Sequence, residues 1–334
     1  VAAGEKLTLA QEDVKLDGWA LESRLYAEDP YRNFLPSIGR LSRYRPPEEA
    51  PRKVRNDTGV FEGGEISMYY DPMIAKLCTW GPDRATALEE MRTALDAFEV
   101  EGIGHNLPFL SVVMDHPRFV SGEITTGFIA EEFPEGFDGA RPDADTLRQV
   151  ARAAAGMMAL REARARKVSG RLTVADGNTQ DDVVVVIGAD SFPVAATDAV
   201  SLDWTPGRTL ARGSIDGKLV VMKVEQRTAG FRIRWRGADL DVQVYTPRQA
   251  ELAALMPEKL PADTSKLLLC PMPGLVVSIA VKEGQEVQEG QTLCAVEAMK
   301  MENVLRAERK AVVSKIHASA GQSLAVDDVI MEFE

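Results

Sequence analysis

The sequence is poor in cysteine and histidine, the residues that build disulfide frameworks and most zinc sites. Only three residues of each type occur among 334. The cysteines Cys78, Cys270 and Cys294 are too few and too scattered for a disulfide framework, and they indicate no metal site. We therefore predict buried or half-buried thiols in a reducing compartment, either a bacterial cytoplasm or a mitochondrial matrix. The scattered histidines are expected to be structural.

Positive charge and long apolar runs are also scarce. The 39 Lys and Arg residues are outnumbered by 51 Asp and Glu residues, for a net charge of -12. This balance argues against nucleic acid or an anionic membrane as the main partner. No apolar run reaches membrane-spanning length, and no signal peptide is recognisable. The chain opens at Val1 inside patterned sequence, so we expect it to be a fragment of a longer protein with two or three domains here.

Residues 1–135 alternate short strands with short helices. The segment Trp19–Ala27 has the pattern of a strand, and Asp83 is placed to cap a helix. In that helix, apolar residues recur at helical spacing. The mixture predicts an α+β lobe that does not close a sheet by itself. Residues 136–145 are rich in Gly, Pro and Asp and predict a linker.

Residues 146–246 predict a helix, over about 146–167, followed by an all-β part. Seven short segments with a period of two, from "RLTVA" to "LDVQVY", are separated by turn residues. They predict an antiparallel barrel or sandwich. The part has no histidine and its acids lie mostly in turns, so nothing in it indicates a catalytic site. Residues 247–266 are rich in Ala and Pro and predict a tether.

Residues 267–334 repeat themselves at an offset of about 37. The two similar halves predict a small β-barrel with pseudo-twofold symmetry, because each half alone would bury too little to fold. The segment Met299-Lys300-Met301 lies at the join between the halves. We therefore expect Lys300 at an exposed, rigidly supported hairpin tip.

Met-Lys is poor chemistry for a two-residue hairpin turn, which favours Asn, Asp or Gly. A turn that lacks the preferred residues, with no visible gain in stability, is a reason to look for function there. An ordinary surface lysine is the alternative. A free ammonium with a pKa of about 10.4 is a poor base at neutral pH. Lys300 is therefore expected to be an attachment point and not a catalyst.

The motif "EAMKM", with "PMPG" upstream at Pro271–Gly274, resembles biotin carboxyl carrier domains. The resemblance implies covalent biotin on Lys300, flanked by Met299 and Met301, and attached by a biotin protein ligase. Lipoyl domains share the architecture but carry different residues around their lysine, so a lipoyl carrier is a distant alternative. Some acetyl-CoA carboxylase carriers have a segment, called the "thumb", inserted in the first half of the domain. No insertion lies between Ile279 and Gln285, so this carrier resembles the kind without a thumb.

Segments from "LESRLYAEDP" to "YYDPMIAKLCTW" resemble the C-terminal lobe of biotin carboxylase. The resemblance places Arg24 at the ureido oxygen of biotin, where a guanidinium stabilises developing negative charge. A surface pair with Glu22 or Glu28 is the alternative. In a complete subunit the resemblance implies ATP, Mg²⁺ and bicarbonate as the means of carboxylating biotin. The N-terminal and ATP-grasp parts of biotin carboxylase are not recognisable here, so this fragment alone is expected to be inactive in the ATP half-reaction.

The whole layout resembles α subunits of the biotin-dependent acyl-CoA carboxylase family, and the segment Tyr245–Lys259 favours its propionyl-CoA carboxylases. The resemblance implies a hetero-oligomer in which the helix-and-barrel part binds a carboxyltransferase β subunit that holds the acyl-CoA. A 3-methylcrotonyl-CoA or other acyl-CoA carboxylase is one alternative. A non-enzymatic biotin carrier and docking module is another, for the fragment alone.

Overall fold

The computed structural model describes residues 1–67, 69–167, 182–257, 266–298 and 301–334. Buried apolar side chains form three clusters, which fall within residues 25–137, 150–244 and 270–331. The first cluster lies in a mixed α+β part, and the other two are dominated by antiparallel sheets. The predicted combination of α+β and all-β parts is therefore confirmed. Within the described ranges, no helix is long and apolar enough to cross a membrane.

The first part is built around a three-stranded antiparallel sheet of order β1-β8-β6. The predicted strand is present as β1 (Trp19–Tyr26), and it pairs along its length with β8 (Met73–Gly81). Helix α1 (Arg84–Ala97) begins after Asp83, whose side chain accepts the Thr86 N–H as the cap prediction required. Its predicted apolar stripe is buried, at Leu88, Met91, Leu95 and Phe98.

Short elements complete the N-terminal lobe, by which we mean residues 19–137. They connect and cover the central sheet, and several pair only two residues at a time. The remaining strands are β2 (Glu28–Asp29), β3 (Leu35–Pro36), β4 (Gly39–Arg40), β5 (Arg43–Arg45), β6 (Val54–Thr58), β7 (Glu65–Ile66) and β9 (Glu99–Glu101), and the helices are α2 (Leu107–Asp115), α3 (Pro117–Ser121) and α4 (Phe128–Glu132).

The second part packs one long helix on a six-stranded antiparallel sheet of order β11-β10-β15-β14-β13-β12. The helix, α5 (Ala144–Arg166), covers the range predicted for it. Six of the seven predicted strands are present, and the first, "RLTVA", lies outside the described residues. The strands are β10 (Val183–Ile187), β11 (Asp190–Val194), β12 (Leu210–Ile215), β13 (Lys218–Arg227), β14 (Gly230–Trp235) and β15 (Ala238–Tyr245).

Close packing of α5 depends on one glycine. A Cβ built on Gly156 would lie 1.9 Å from the backbone oxygen of Val200. Only glycine allows this approach without a shift of the backbone. The face of α5 around Gly156 is made of Ala and Met side chains that are almost fully buried against the sheet. Helix α5 therefore forms one side of the core of the second part, and the sheet forms the other.

The segment after the sheet begins with a short helix, α6 (Pro247–Ala253), which Thr246 and Gln249 close with a capping box. Helix α6 lies within the predicted tether, residues 247–266, and residues 258–265 of that tether lie outside the described residues.

The third part consists of two four-stranded sheets, of order β16-β23-β21-β18 and β20-β19-β17-β22. Its short strands are exchanged between the halves, because β18 of the first half pairs with β21 and β22 of the second half pairs with β17. The strands are β16 (Leu267–Leu269), β17 (Gly274–Ile279), β18 (Glu286–Val287), β19 (Thr292–Ala298), β20 (Met301–Arg306), β21 (Ala311–Ile316), β22 (Ser323–Leu324) and β23 (Val329–Phe333).

The pairing register confirms the internal repeat. Val276 pairs with Val296 in the first half, and Val313 pairs with Phe333 in the second. The differences 313 minus 276 and 333 minus 296 are both 37. An irregularity in register follows both valines, between Val276 and Ser278 and between Val313 and Lys315. The halves are therefore copies in backbone geometry as well as in sequence.

Candidate functional site

The first candidate site is the hairpin formed by β19 and β20. Its pairing runs from Thr292 and Arg306 to Ala298 and Met301. The two residues between these last partners, Met299 and Lys300, lie outside the described residues. Strands of one hairpin therefore lead to both sides of the predicted attachment point.

The base of this hairpin is a packed apolar layer. Cys294, Val296 and Ala298 are at most 1% exposed. Burial raises the pKa of the Cys294 thiol to about 11, so the thiol stays protonated at neutral pH. Cys270 is also buried, and Cys78 is partly buried, so the predicted burial of the three thiols is confirmed.

The "PMPG" motif lies beside the same hairpin. A Cβ on Gly274 would lie 2.6 Å from the backbone oxygen of Glu297. Glycine is therefore required where the start of β17 crosses the end of β19. Just upstream, the Cys270 thiol donates to the backbone oxygen of Met272 at 3.0 Å. The motif thus supports the strand that leads into Met299-Lys300.

The second candidate, Arg24, lies on the outer face of the sheet β1-β8-β6. Its neighbours Ser23 and Leu25 point inward and are buried, while the Arg24 side chain is 54% exposed. Its Nε donates to Oε1 of Glu22 at 2.8 Å. This hydrogen bond lowers the pKa of Glu22 and raises that of Arg24. The pair with Glu22, which the sequence left open as the alternative, is thus present, and the guanidinium remains accessible.

Charged residues of both signs surround Arg24 on that face. Strand register sets Glu22 and Arg55 on either side of Cys78, and Arg24 and Asp57 on either side of Lys76. An open cleft of about 650 Å³ is lined in part by Glu22, Arg55 and Cys78. These cross-strand neighbours could not be identified from the sequence, because their register depends on which strands pair. In the described part of the chain, no group of three or more His, Cys, Asp or Glu residues is arranged to hold a metal ion.

The three histidines have structural contacts. Burial lowers the pKa of His105 to about 4, which keeps this ring neutral. His116 lies 3.1 Å from a carboxylate oxygen of Glu132, and His317 lies 2.8 Å from one of Glu332. These contacts fit the structural role predicted for the histidines.

Comparison with known families assigns each of the three parts. The family described as biotin carboxylase C-terminal domain matches residues 22–131. The propionyl-coenzyme A carboxylase BT domain matches residues 150–259, and the family described as biotin-requiring enzyme matches residues 266–333. Each part of the chain therefore matches one domain family of the biotin-dependent carboxylases.

Within that class, the chain is similar over its whole length to propionyl-CoA carboxylase alpha chains. It is 62% identical over 367 residues to the one of Ruegeria pomeroyi, covering 100% of this chain and 54% of that protein. It is 38% identical over 354 residues to the mitochondrial one of Mus musculus, covering 100% of this chain and 49% of that protein. The chain thus spans about half the length of these relatives.

Among solved structures, the biotin carboxylase domain of a thermophilic 2-oxoglutarate carboxylase matches with a TM-score of 0.38. The two are 39% identical, over 39% of this chain and 29% of that one. The family assignments confirm the predicted fold class and the biotin-type carrier part. The roles of Lys300 and Arg24 stay predictions.

Proposed function

We propose that the chain is the carrier-bearing part of the α subunit of a propionyl-CoA carboxylase. In this proposal biotin on Lys300 is carboxylated with ATP, Mg²⁺ and bicarbonate, and the carboxyl group then passes to propionyl-CoA to give methylmalonyl-CoA. One observation carries the proposal: strands of a biotinyl-type hairpin end on both sides of Lys300, in a chain that also holds a biotin carboxylase lobe.

The residues around position 300 fit covalent biotin. An amide bond needs an accessible amine on a support that keeps its shape, and the hairpin rests on a buried layer that includes Val296 and Ala298. Lys300 would hold the group, with Met299 and Met301 on either side. Bound biotin supplies a ureido nitrogen that accepts a carboxyl group at one site and releases it at another.

Arg24 is proposed to act on the ureido oxygen in the biotin carboxylase lobe. Removal of a proton from the ureido group places negative charge on that oxygen, and a guanidinium supplies a permanent positive charge there. The contact with Glu22 orients the guanidinium on the open face of the sheet. The remaining residues of that half-reaction are proposed to belong to the part of the α subunit that this chain does not span.

The second part is proposed to bind the carboxyltransferase β subunit, which would hold the acyl-CoA. Its match to the BT domain supports this role. A hetero-oligomer of α and β subunits follows, with a biotin protein ligase as the modifying partner. The relatives come from a bacterium and from mitochondria. We propose the cytoplasm as the compartment of this chain if its source is bacterial, and the mitochondrial matrix if its source is eukaryotic.

Intact mass measurement and a streptavidin blot test the attachment. Native material is expected to carry one biotin, and Lys300→Arg is expected to carry none. Lys315→Arg is the matched control, because Lys315 is an exposed lysine on β21 of the same unit. A bare Lys300 in native material would overturn the proposal, and lipoate in its place would establish the lipoyl alternative.

The acyl-CoA preference is tested with the full-length α subunit and its partner. Radiolabelled bicarbonate is supplied with propionyl-, acetyl- or 3-methylcrotonyl-CoA, and label is expected chiefly in the propionyl product. Preferred labelling of 3-methylcrotonyl-CoA would establish that alternative. If the full-length protein carried biotin but released no phosphate from ATP with bicarbonate, the non-enzymatic carrier and docking module would be the correct function.

A further inference from the structure

The carrier unit, residues 267–334, is in contact with the N-terminal lobe through Arg32. One terminal nitrogen of Arg32 donates to the backbone oxygen of Pro271 at 3.2 Å. The other donates to both carboxylate oxygens of Asp327, at 3.2 Å and 3.3 Å. Three hydrogen bonds from one guanidinium thus join residues that are 239 and 295 positions away from it in the chain. We call this set of contacts the Arg32 clamp.

On the lobe side, the clamp is held by a rigid loop. The carboxylate of Asp29 lies 3.8 Å from the guanidinium and also accepts the backbone N–H of Tyr31 at 3.0 Å. The ring of Tyr31 packs on Phe137 with centroids 5.2 Å apart, and the ring of Phe34 packs edge-on against Phe109 at 4.9 Å. These contacts lie within the lobe and do not involve the carrier, and holding the loop in this way would lower the entropic cost of the contact.

The backbone of this loop adopts an uncommon conformation. Asn33 and Phe34 have φ values of 53° and 59°, in the left-handed region that non-glycine residues seldom occupy. Two such residues in succession strain the backbone, and they persist only where the surroundings impose them. The turn they form sends Phe34 into the aromatic cluster of the lobe while Arg32 reaches the carrier. The strain is thus located where the loop changes direction between the two units.

On the carrier side, the two contact points belong to one structural element. The backbone N–H of Asp327 donates to the oxygen of Cys270 at 2.9 Å, and that of Cys270 donates to the oxygen of Asp328 at 2.8 Å. Pro271 and Asp327 are therefore fixed relative to each other. Leu35, three residues after the arginine, also packs against the apolar cluster of the carrier. The clamp thus combines a charged contact with an apolar one.

The clamp holds the carrier by the end that bears the attachment site. Pro271 starts the "PMPG" motif, and its Gly274 abuts Glu297, three residues before Lys300. On the other side, Arg32 follows Arg24 by eight positions, in the segment that directly continues β1. The lobe segment with the predicted catalytic arginine therefore holds the carrier segment next to the predicted biotinyl-lysine.

We infer that the Arg32 clamp is a docking site at which the N-terminal lobe receives its own carrier unit for the biotin carboxylation half-reaction. Arg32 is a positioning residue in this inference, because it touches the carrier and not the reacting atoms. The inference rests on the function proposed for Lys300 and Arg24. It assigns to Arg32, Asp327 and Leu35 the recognition of the carrier.

The test uses the full-length, biotinylated α subunit with Arg32→Glu, Asp327→Arg and the double variant. Bicarbonate-dependent ATP cleavage is measured on the attached biotin. It is measured separately on free biotin, in a Lys300→Arg background. Each single reversal is expected to slow the reaction of attached biotin by about fivefold or more, as loss of one charged contact does. The rate with free biotin is expected to stay unchanged, and the double variant is expected to recover to within about twofold of the wild type. Glu289→Arg, an exposed acid on the same unit, is the control for a change of carrier charge.

Equal losses with attached and free biotin would overturn the inference, because Arg32 would then support the fold of the lobe. No loss in either reaction would overturn it as well. Failure of the proposed function is recognised separately, as a Lys300 without biotin in the intact mass. The clamp can still be measured in that case by hydrogen exchange of residues 325–328 in the 334-residue chain. Exchange there is expected to be faster in Arg32→Glu than in the wild type, and equal exchange would contradict the clamp.

Discussion

Arg236, in the turn after β14, holds the buried carboxylate of Asp96 near the end of α1. Its backbone N–H donates to one carboxylate oxygen at 2.9 Å, and its Nε lies 3.3 Å from the other. The Asp96 side chain is only 4% exposed. Nearby, the Lys223 ammonium donates to the backbone oxygen of Leu95 at 2.9 Å. The N-terminal lobe and the six-stranded sheet are therefore joined by charged groups that are largely removed from water.

This junction gives Asp96 a measurable influence on stability. Burial raises its pKa from 3.8 to about 6, against the opposing effect of Lys223 and Arg236. A carboxyl with a raised pKa binds its proton more tightly in the folded state than in the unfolded state. Its contribution to stability is therefore fully present below about pH 4 and is lost as pH rises through about 6.

The measurement compares wild type with Asp96→Asn in urea unfolding of the N-terminal lobe and sheet between pH 4 and pH 7. The stability of the wild type relative to the variant is expected to fall over this range by up to about 3 kcal/mol, the equivalent of two pKa units. Taking the difference between the two proteins cancels the titration of the other carboxylates. A difference that rises with pH would show that the charged form of Asp96 is the favoured one.

Arg24→Gln separates the proposed catalytic role from a structural one. The side chain is exposed and its partner Glu22 is 42% exposed, so the melting temperature is expected to stay unchanged. Biotin-dependent ATP cleavage by the full-length subunit is expected to fall by about 100-fold, as for loss of one group that stabilises developing charge. Arg248→Gln in α6 is the control, since Arg248 is also an exposed arginine paired with an acid. Unchanged activity in Arg24→Gln would leave this arginine as a surface residue only.

Because the two halves of the carrier repeat each other, substitutions at equivalent positions are expected to destabilise the carrier by similar amounts. Val276 and Val313 occupy equivalent positions and both are fully buried, whereas Val277 is 43% exposed. Val276→Ala and Val313→Ala are each expected to destabilise the carrier by about 1–3 kcal/mol, and Val277→Ala by less than about 0.5 kcal/mol. Hydrogen exchange of carrier amides measures these effects without interference from the other parts. Costs for the two buried valines that differ by more than about 2 kcal/mol would show that the halves are not energetically equivalent.

The substitution Gly156→Ala has two opposing effects on the stability of helix α5. Alanine is favoured over glycine in a helix by about 1 kcal/mol. The new Cβ would collide with the backbone oxygen of Val200, and overpacking of this kind costs about 1–3 kcal/mol. A net loss of stability is expected in thermal unfolding. Gly59→Ala serves as the control, because a Cβ there meets nothing within 4 Å. A more stable Gly156→Ala would show that the Val200 segment moves away at little cost.

Features set by neighbours in sequence were predictable. The alternation in Trp19–Ala27, the cap at Asp83 and the strands after Val183 each follow from a local pattern, and each was found. The repeat was visible because the same local pattern occurs twice. Lys300 and Arg24 were recognisable because short motifs surround them.

Contacts between distant charged residues were not predictable. Arg236 and Asp96 are 140 positions apart, and Arg32 and Asp327 are 295 positions apart. In a sequence, each of these residues has the character of a solvent-exposed polar position. Their pairing depends on how folded units meet, and periodicity carries no information about that. For the same reason, the partners of Arg24 across the sheet appeared only in the structure.

The exchange of β18 and β22 between the two sheets has a consequence for synthesis on the ribosome. A nascent chain that has reached residue 310 holds the whole first half, but β17 still lacks β22 and β16 still lacks β23. The sheet β20-β19-β17-β22 is complete only when Leu324 has left the exit tunnel, and the sheet β16-β23-β21-β18 only when Phe333 has left it. If acylation of Lys300 requires the finished barrel, it is therefore expected only after β23 has emerged from the ribosome.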